Sequence, residues 1–252
     1  MSVDLLFCWM MVFLRAVGVL MAIPALTGQP LPVMVRVAFG VFLATLLYGL
    51  VPHASAAGYG WPELILASAG EVIVGLLMGF VIRMVFATVE MAGRIIESEI
   101  GLSAGAGLGG PSALSEPLPG FLLTFSGVMF FLLGAHEGVL AAFVRSFDFV
   151  AAGRPAWNVD AADKLVVGTG RVIELAVRIA APFIALNFLM NLGFSVLGRA
   201  VPRMNVFVLS YSIRGLVGLM LLSGAGMLIF RYLGLEFQQL PLRMLELLPG
   251  RR

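Results

Sequence analysis

The chain has 252 residues, of which 60% are hydrophobic and only 12% are charged, and its mean hydropathy is +1.03. A soluble domain of this size could not expose so much apolar surface to water, so the composition excludes a free-standing soluble protein. The net charge of +2, carried by scattered basic residues, argues against nucleic acid as a partner, and the single cysteine, Cys8, excludes an internal disulfide and a multi-cysteine metal site.

Long apolar segments follow one another along the chain. About 20 residues of α-helix span the ~30 Å hydrocarbon core of a bilayer. We predict helices over six segments, at about 5–26, 33–51, 64–92, 121–150, 165–198 and 204–233. The segments do not alternate polar with apolar residues as the strands of a membrane barrel do. The predicted fold class is therefore all-α, a polytopic membrane-associated helical protein.

The third segment carries charged side chains at helical spacing. Arg83, Glu90, Arg94 and Glu97 are separated by seven, four and three residues, which places them on one face of a helix. An unpaired charge at mid-bilayer is costly. We therefore predict that these four side chains form ion pairs within the helix or between subunits.

Other charges also interrupt the apolar segments. Arg171, Glu174 and Arg178 are spaced by three and four residues in the fifth segment, so they too share a helical face. Long side chains close to a segment end can instead extend to the membrane interface. That second interpretation is open for three arginines, namely Arg15, Arg145 and Arg231.

Two glycine pairs have the spacing that lets membrane helices approach closely. Gly75 and Gly79 form one G-x-x-x-G motif, and Gly134 and Gly138 form another. Small residues at this spacing let helix backbones come into contact, which is how helices associate where no hydrophobic force drives them together. Both pairs predict dense helix packing.

The stretch between the third and fourth segments, 101–120, is rich in glycine and proline. Gly105, Gly107 and Gly110 match G-x-G-x-x-G, but a dinucleotide site needs a strand before this motif and a helix after it. Here a membrane segment precedes the motif and Pro111 follows it at once, which argues against nucleotide binding. Two alternatives stay open for this stretch: an external linker, or a segment that lines or plugs a passage inside an assembly. Non-helical backbone is tolerated at membrane depth only in the second setting.

Catalytic motifs are absent from the sequence. It contains no H-E-x-x-H, G-x-S-x-G, G-x-G-D or P-loop motif, and neither His53 nor His136 has a serine or cysteine at a recognised spacing. We expect a protein that is not an enzyme, with no cofactor and no metal. The neighbours His136 and Glu137 are compatible with a proton relay or with the end of a half-segment.

Four stretches form a co-linear set of motifs. They are Arg15 through Pro24 with Pro32 and Arg36; Glu71-Val72-Ile73-Val74-Gly75 with Gly79-Phe80; Ala92-Gly93 with Ile95-Ile96 and Gly101-Leu102-Ser103; and Leu197-Gly198-Arg199 with Pro202, Asn205, Val206 and Phe207. In this order they resemble the FliR family of the flagellar export gate, whose injectisome counterpart is SctT. The last stretch is similar to the family's L-x-R-x-x-P-Q-x-N-V-F.

The chain departs from the family pattern at three places. Arg203 stands where the family usually has glutamine. Ser210-Tyr211-Ser212 replaces a common G-F-P or S-M-P, so a proline kink is missing there. Glu97-Ser98-Glu99 replaces residues that are usually uncharged and adds negative charge before the mid-chain loop.

The resemblance implies an architecture and a set of partners. A FliP-like helical part, 1–160, would be followed by a FliQ-like helical hairpin and short tail, 161–252, with broken helices in a ring-like hetero-oligomer. The expected partners are FliP-like and FliQ-like export gate subunits, an FlhB-like protein and unfolded export substrates. The expected location is the bacterial inner membrane, in the flagellar basal body and raised toward the periplasmic side.

The resemblance also implies a gate. The family's mid-chain loop corresponds to about 102–120 here and would help to close the channel. Its predicted gate or plug residues are Leu102, Ser103, Gly105, Gly107, Leu108, Gly109, Gly110, Pro111, Leu114, Pro117 and Pro119. The predicted hairpin turn is shaped by Arg199, Pro202, Asn205 and Phe207.

Two alternative functions remain at this point. The first is the injectisome form of the same gate, since the motifs do not separate the two systems. The second is a secondary transporter, which also uses broken helices and buried charges but usually shows repeat symmetry between its halves. The sequence contains no convincing internal repeat, which makes the transporter the weaker alternative.

Overall fold

The computed structural model describes residues 3–22, 32–52, 59–102, 117–154, 158, 160–201 and 206–249. Over these ranges the chain forms seven α-helices and no strand, which confirms the predicted all-α class. In chain order the helices are α1 (Val3–Ala22), α2 (Val33–Leu47), α3 (Trp61–Glu99), α4 (Pro117–Leu132), α5 (Ala135–Phe149), α6 (Ala161–Ala200) and α7 (Val206–Glu246).

These helices cover the six predicted segments, but α3 and α7 extend further than predicted, to Glu99 and Glu246 instead of about 92 and 233. The second and fourth segments differ as well. The second segment is shorter than predicted, because α2 has 15 residues and ends at Leu47, a length of about 22 Å that falls short of a bilayer core. The fourth segment is split into α4 and α5, whose axes meet at 69°. By length and composition, α1, α3, α6 and α7 could each cross a membrane, and the bent pair α4–α5 would make a fifth span.

Glycines in the left-handed conformation follow the ends of α3 and α4. Gly101 has φ +81 directly after the last turn of α3, and Gly134 has φ +68 between α4 and α5. Glycine adopts these angles without the steric cost that a Cβ imposes, so it commonly ends a helix. Gly134 is therefore a turn residue, not half of a helix-packing pair. Its predicted partner, Gly138, packs alone against the side chain of Pro241 in α7.

The first glycine pair does what its spacing predicts. A Cβ added to Gly75 would lie 2.3 Å from the backbone oxygen of Arg15, and one added to Gly79 would lie 2.5 Å from that of Val19. No real Cβ tolerates such distances, so these glycines allow α3 to lie directly against the backbone of α1. The structure confirms this prediction of close helix packing.

Helix α3 is the central element, with α1, α4, α6 and α7 packed around it. Its fully buried side chains include Met78, Ile82 and Phe86. The ring of Phe86 lies 5.8 Å from that of Phe130 in α4 and 5.9 Å from that of Phe237 in α7, as measured between centroids. This aromatic cluster joins three helices that are distant in sequence.

Helices α6 and α7 form a long antiparallel hairpin. Arg171 and Lys164 of α6 contact Glu236 and Glu246 of α7, so the start of one helix lies beside the end of the other. Helix α6 also follows α3 in the same direction, because Gly168 lies against Met84 and Asn187 bonds to Glu99 further along both helices.

Candidate functional site around helix α3

An ion pair with no solvent exposure joins α1 to α3. The Nε of Arg15 lies 2.6 Å from Oε2 of Glu71, and both side chains have 0% exposed surface. The other guanidinium nitrogens donate to the Oγ of Ser146 at 2.9 Å and to the backbone oxygen of Val150 at 3.0 Å. The guanidinium carbon also lies 3.9 Å from the centroid of the Phe147 ring.

Glu71 completes this cluster from the other side. Its Oε1 accepts a hydrogen bond from the backbone N–H of Gly153 at 2.8 Å. Burying two charges is costly unless each is paired and its remaining donors and acceptors are satisfied. Here both carboxylate oxygens accept and all three guanidinium nitrogens donate. The cluster therefore ties α1, α3 and the end of α5 at one point in the core.

The interpretation of Arg15 as an arginine that extends to the membrane interface is wrong. Its side chain is held inside the protein by Glu71, whereas Arg145 and Arg231 are exposed. One signal could have identified the pair. Glu71 precedes Gly75 by four residues, so its side chain projects from the same face of α3 that packs on α1.

The four charged residues that the sequence places on one face of α3 lie in three different environments. Arg94 and Glu90 form an ion pair at 2.9 Å, with 59% and 45% of their side chains exposed. Arg83 is exposed, and it has no ion pair within the described part of the chain. Glu97 is buried, because the start of α4 crosses α3 there, and its Oε2 accepts from the backbone N–H of Leu118 at 3.2 Å.

The charged triplet of α6 is also divided. Arg178 pairs with Glu174 one turn away, on the exposed surface. Arg171 instead crosses the hairpin to Glu236 of α7, at 2.9 Å, and Arg243 binds the second oxygen of the same carboxylate. Glu236 is thus a buried acceptor shared by two arginines.

A polar ladder connects the end of α3 to the middle of the hairpin. The side-chain amide of Asn187 donates to Oε2 of Glu99 at 2.5 Å. Asn191 donates to the Oδ1 of Asn187 at 3.2 Å, and Arg214 of α7 donates to the Oδ1 of Asn191. Three helices therefore share one chain of side-chain hydrogen bonds.

The structure describes only the two ends of the predicted gate loop. Leu102 packs against the core after α3, Pro117 is exposed at the first position of α4, and Pro119 is buried. The other predicted gate residues lie outside the described residues: Ser103, Gly105, Gly107, Leu108, Gly109, Gly110, Pro111 and Leu114.

The predicted hairpin turn is described only in part. Arg199 is exposed in the last turn of α6. Phe207 belongs to the first turn of α7, but its side chain is outside the described part, as are Pro202 and Asn205.

His136 occupies the start of α5, just after the bend. The ring lies 5.3 Å from that of Phe131 and 6.4 Å from that of Phe130, as measured between centroids. Its Nδ1 is buried and has no hydrogen-bond partner among the described residues. This position matches the end of a half-segment, the second interpretation of the His136–Glu137 pair.

A cavity of about 390 Å³ opens between α3 and the hairpin. Apolar side chains line most of it, and the Arg171–Glu236–Arg243 cluster lies at its wall. Within the described ranges, no group of three or more His, Cys, Asp or Glu side chains is placed to hold a metal ion. Several polar groups of α3 join it to other helices, namely Glu71 to Arg15, Glu97 to Leu118 and Glu99 to Asn187.

Comparison with known proteins agrees with the motifs. Residues 6–240 match the family described as "Bacterial export proteins, family 1". The chain is 25% identical over 224 residues to the flagellar biosynthetic protein FliR of Bacillus subtilis (strain 168), covering 87% of this chain and 86% of the relative. It is 31% identical over 213 residues to the Yop proteins translocation protein T of Yersinia pestis, covering 82% of this chain and 81% of that relative.

Proposed function

The chain belongs to family 1 of the bacterial export proteins, and from this membership we propose that it is a non-enzymatic subunit of the flagellar type III export gate. The match over residues 6–240 carries the proposal, because it extends from the first turn of α1 to Leu240, close to the end of α7. In this role the chain helps to form and close a channel for unfolded export substrates, while other components supply the energy.

The exposed surface of the hairpin supports a subunit that works inside an assembly. Only 28% of the apolar window of α6 and 17% of that of α7 is buried within the chain. Helix α6 also carries the exposed Glu174–Arg178 pair, which acyl chains would accommodate poorly. Surfaces of this mixed kind suit unlike membrane subunits better than lipid.

The proposed partners are FliP-like and FliQ-like subunits and an FlhB-like protein. Residues 1–160 would provide the FliP-like part and 161–252 the FliQ-like hairpin, a boundary that falls just before α6. The complex would lie in the inner membrane at the flagellar basal body, raised toward the periplasmic side. Co-purification tests this proposal, since a secondary transporter would be isolated alone or as a homo-oligomer.

The proposed gate is the segment at about 102–120. Its glycines would give the backbone freedom, and Leu102, Leu108 and Leu114 would fill the channel. Deleting Gly105–Gly110 should raise ion leakage across the inner membrane. Unchanged leakage in a gate that still assembles would remove the plug role.

An injectisome export gate is the second candidate function. The observation that favours it is the 31% identity to the Yersinia translocation protein, compared with 24% to the FliR protein of Escherichia coli (strain K12), over nearly equal lengths. Expressing this chain in two bacterial strains separates the candidates. One strain lacks its own flagellar member of the family, and the other lacks its own injectisome member. Restored motility with no restored injectisome secretion would support the flagellar assignment.

A further inference from the structure

One exposed stripe of α3 changes its chemical character at Arg83. After the first turn of the helix, the exposed side chains recur at intervals of about one turn, so they share one face. Up to Phe80 they are all apolar, namely Ile65, Leu66, Ala69, Ile73, Leu76 and Phe80. Beyond that point the same stripe exposes Arg83, Arg94 and Ser98, together with 45% of the Glu90 side chain. The first half of α3 therefore presents an uncharged surface, and the second half presents a charged one.

Helices α1 and α2 extend the uncharged surface beside the first half of α3. Helix α1 follows that half in the same direction, as its contacts with the glycine pair of α3 show. Helix α2 runs antiparallel to α1. Near the start of α1, Trp9 Nε1 donates to the Oγ1 of Thr45 at 3.1 Å, and near its end the backbone oxygen of Met21 accepts from Arg36 Nη1 at 3.2 Å.

The exposed face of α2 is apolar apart from Thr45, whose hydroxyl donates to the backbone oxygen of Val41. This short helix packs on α1 alone and leaves most of its large side chains uncovered. Its exposed large apolar residues, with those of the turn that follows it, are Val33, Met34, Val35, Phe39, Val41, Phe42, Leu46 and Leu50.

Within the described parts of α1, α2 and residues 61–83, charged side chains reach the surface only at the two ends of this region. The starts of α1 and α3 carry Asp4 and Glu63 at one end. Arg36 and Arg83 lie at the other end, since the acceptor of Arg36 belongs to the last turn of α1. The ion pair between α1 and α3, halfway along, has no exposed surface.

The length of the uncharged region matches a bilayer. Arg83 follows Trp61 by 22 positions, a rise of about 33 Å along a helix, and the hydrocarbon core is ~30 Å thick. Trp61, at the first position of α3, is 82% exposed, and tryptophan is enriched where the hydrocarbon core meets the headgroups. Arginines at the opposite edge can extend to the headgroups while their stems stay on apolar surface.

The neighbouring surface of α5 differs at the same height. Ser146 and Phe147 contact Arg15, which places this part of α5 halfway along the uncharged region. Their neighbours Arg145 and Asp148 are nevertheless exposed. A partner subunit can accommodate such charges and gives no reason for a surface to lose its charges over about 33 Å. Acyl chains reject exposed charges over the whole thickness of the core.

We propose that the surface formed by α1, α2 and residues 61–82 faces the acyl chains of the membrane, with its edges at Trp61 and at Arg83. Only the first half of α3 then crosses the hydrocarbon core, and the exposed Glu90–Arg94 pair lies beyond it. The surface of α5 that carries Arg145 faces protein or water instead. This placement rests on the surface of the chain itself and not on the gate function.

The test measures what surrounds single positions of the stripe in the assembled complex. Cysteines that carry a nitroxide label are introduced one at a time in a Cys8→Ala background, and the complex is reconstituted into vesicles of phosphatidylethanolamine and phosphatidylglycerol. Collisions of the label with oxygen, which concentrates among acyl chains, are compared with collisions with a water-soluble nickel chelate. At Ile73→Cys, near mid-core, oxygen collisions should dominate and nickel collisions should be lost. The oxygen preference should disappear at Ser98→Cys, and also at Arg145→Cys, the control at the same height.

Three results would overturn the placement. Few collisions with either reagent at Ile73→Cys and Leu66→Cys would show that a partner subunit covers the stripe, and frequent nickel collisions there would show water. An oxygen preference that continues to Ser98→Cys would remove the edge at Arg83. Assembly of each labelled variant is checked by co-purified partner subunits, and Leu76→Cys, on the same stripe, replaces a variant that does not assemble. If no unlike subunit co-purifies with any variant, the gate function fails, and the labels on the chain alone still decide the placement.

Discussion

The Nε of Arg15 lies 2.6 Å from Oε2 of Glu71, and neither side chain reaches solvent. The two residues are separated by 56 positions in sequence, so the pair forms only when α1 and α3 have packed. Removing one member of such a pair leaves an uncompensated buried charge, which is far more costly than removing both.

We therefore predict that Arg15→Met lowers the free energy of unfolding by about 3–5 kcal/mol. The methionine fills most of the space but leaves the Glu71 carboxylate without its cation. Thermal unfolding of the detergent-solubilised protein, followed by helical circular dichroism, measures the effect. Adding Glu71→Gln should recover part of the loss, because the amide oxygen can still accept from Gly153. Arg145→Met, an exposed arginine, is the control, and equal losses in the two single variants would contradict the prediction.

The contact between α1 and α3 gives a second prediction. Gly75→Ala places a Cβ against the backbone of Arg15, which cannot move away as a side chain could. Overpacking of this kind costs about 1–3 kcal/mol, so the unfolding temperature should fall. Gly170→Ala is the matched control, since nothing lies within 4 Å of the added Cβ there, and alanine in a helix should stabilise it by about 0.5–1 kcal/mol. The same direction of change in both variants would refute the packing argument.

Local periodicity accounts for the parts of the fold that the sequence predicts correctly. The apolar segments, the Gly75–Gly79 pair and the charges four residues apart depend on neighbours along one helix, and one turn is enough to define them. The pairs Glu90–Arg94 and Glu174–Arg178 are of this kind.

Contacts between distant helices account for what the sequence does not predict. Arg171 pairs with Glu236, which is 65 positions away, in preference to its helical neighbour Glu174. Glu97 shares a helical face with Glu90 and Arg94, yet it is buried because α4 happens to begin beside it. The bend at Gly134 could not be predicted from the sequence either, because the same glycine spacing is compatible with a packing motif and with a turn.

The exposed Glu90–Arg94 pair gives a third prediction, which separates stability from assembly. Exposed pairs one helical turn apart contribute about 0.3–0.5 kcal/mol, so Glu90→Arg should barely change unfolding of the isolated subunit. In the complex, the new arginine beside Arg94 should impair co-purification with partner subunits, and the swap Glu90→Arg with Arg94→Glu should restore it. Normal assembly of Glu90→Arg would show that no partner contacts this face.

A fourth prediction concerns the carboxylate that holds the hairpin together. Glu236→Gln leaves Arg171 and Arg243 facing each other across a neutral amide, at a site where the Glu236 side chain is 8% exposed. Hydrogen bonds to a charged group contribute about 1.5–3 kcal/mol each, and the repulsion between the two guanidinium groups adds to the loss. The unfolding temperature of the solubilised protein should therefore fall clearly.

Glu174→Gln is the control for this fourth change, because it removes the same charge from the exposed pair with Arg178 on the same hairpin. Because solvent screens that pair, we expect it to contribute less than about 1 kcal/mol to the free energy of unfolding. Adding Arg171→Met to Glu236→Gln should recover part of the stability, since it removes one of the two facing cations. If Glu236→Gln and Glu174→Gln lowered the unfolding temperature equally, the buried carboxylate would have no special part in joining α6 to α7, and apolar packing alone would account for the hairpin.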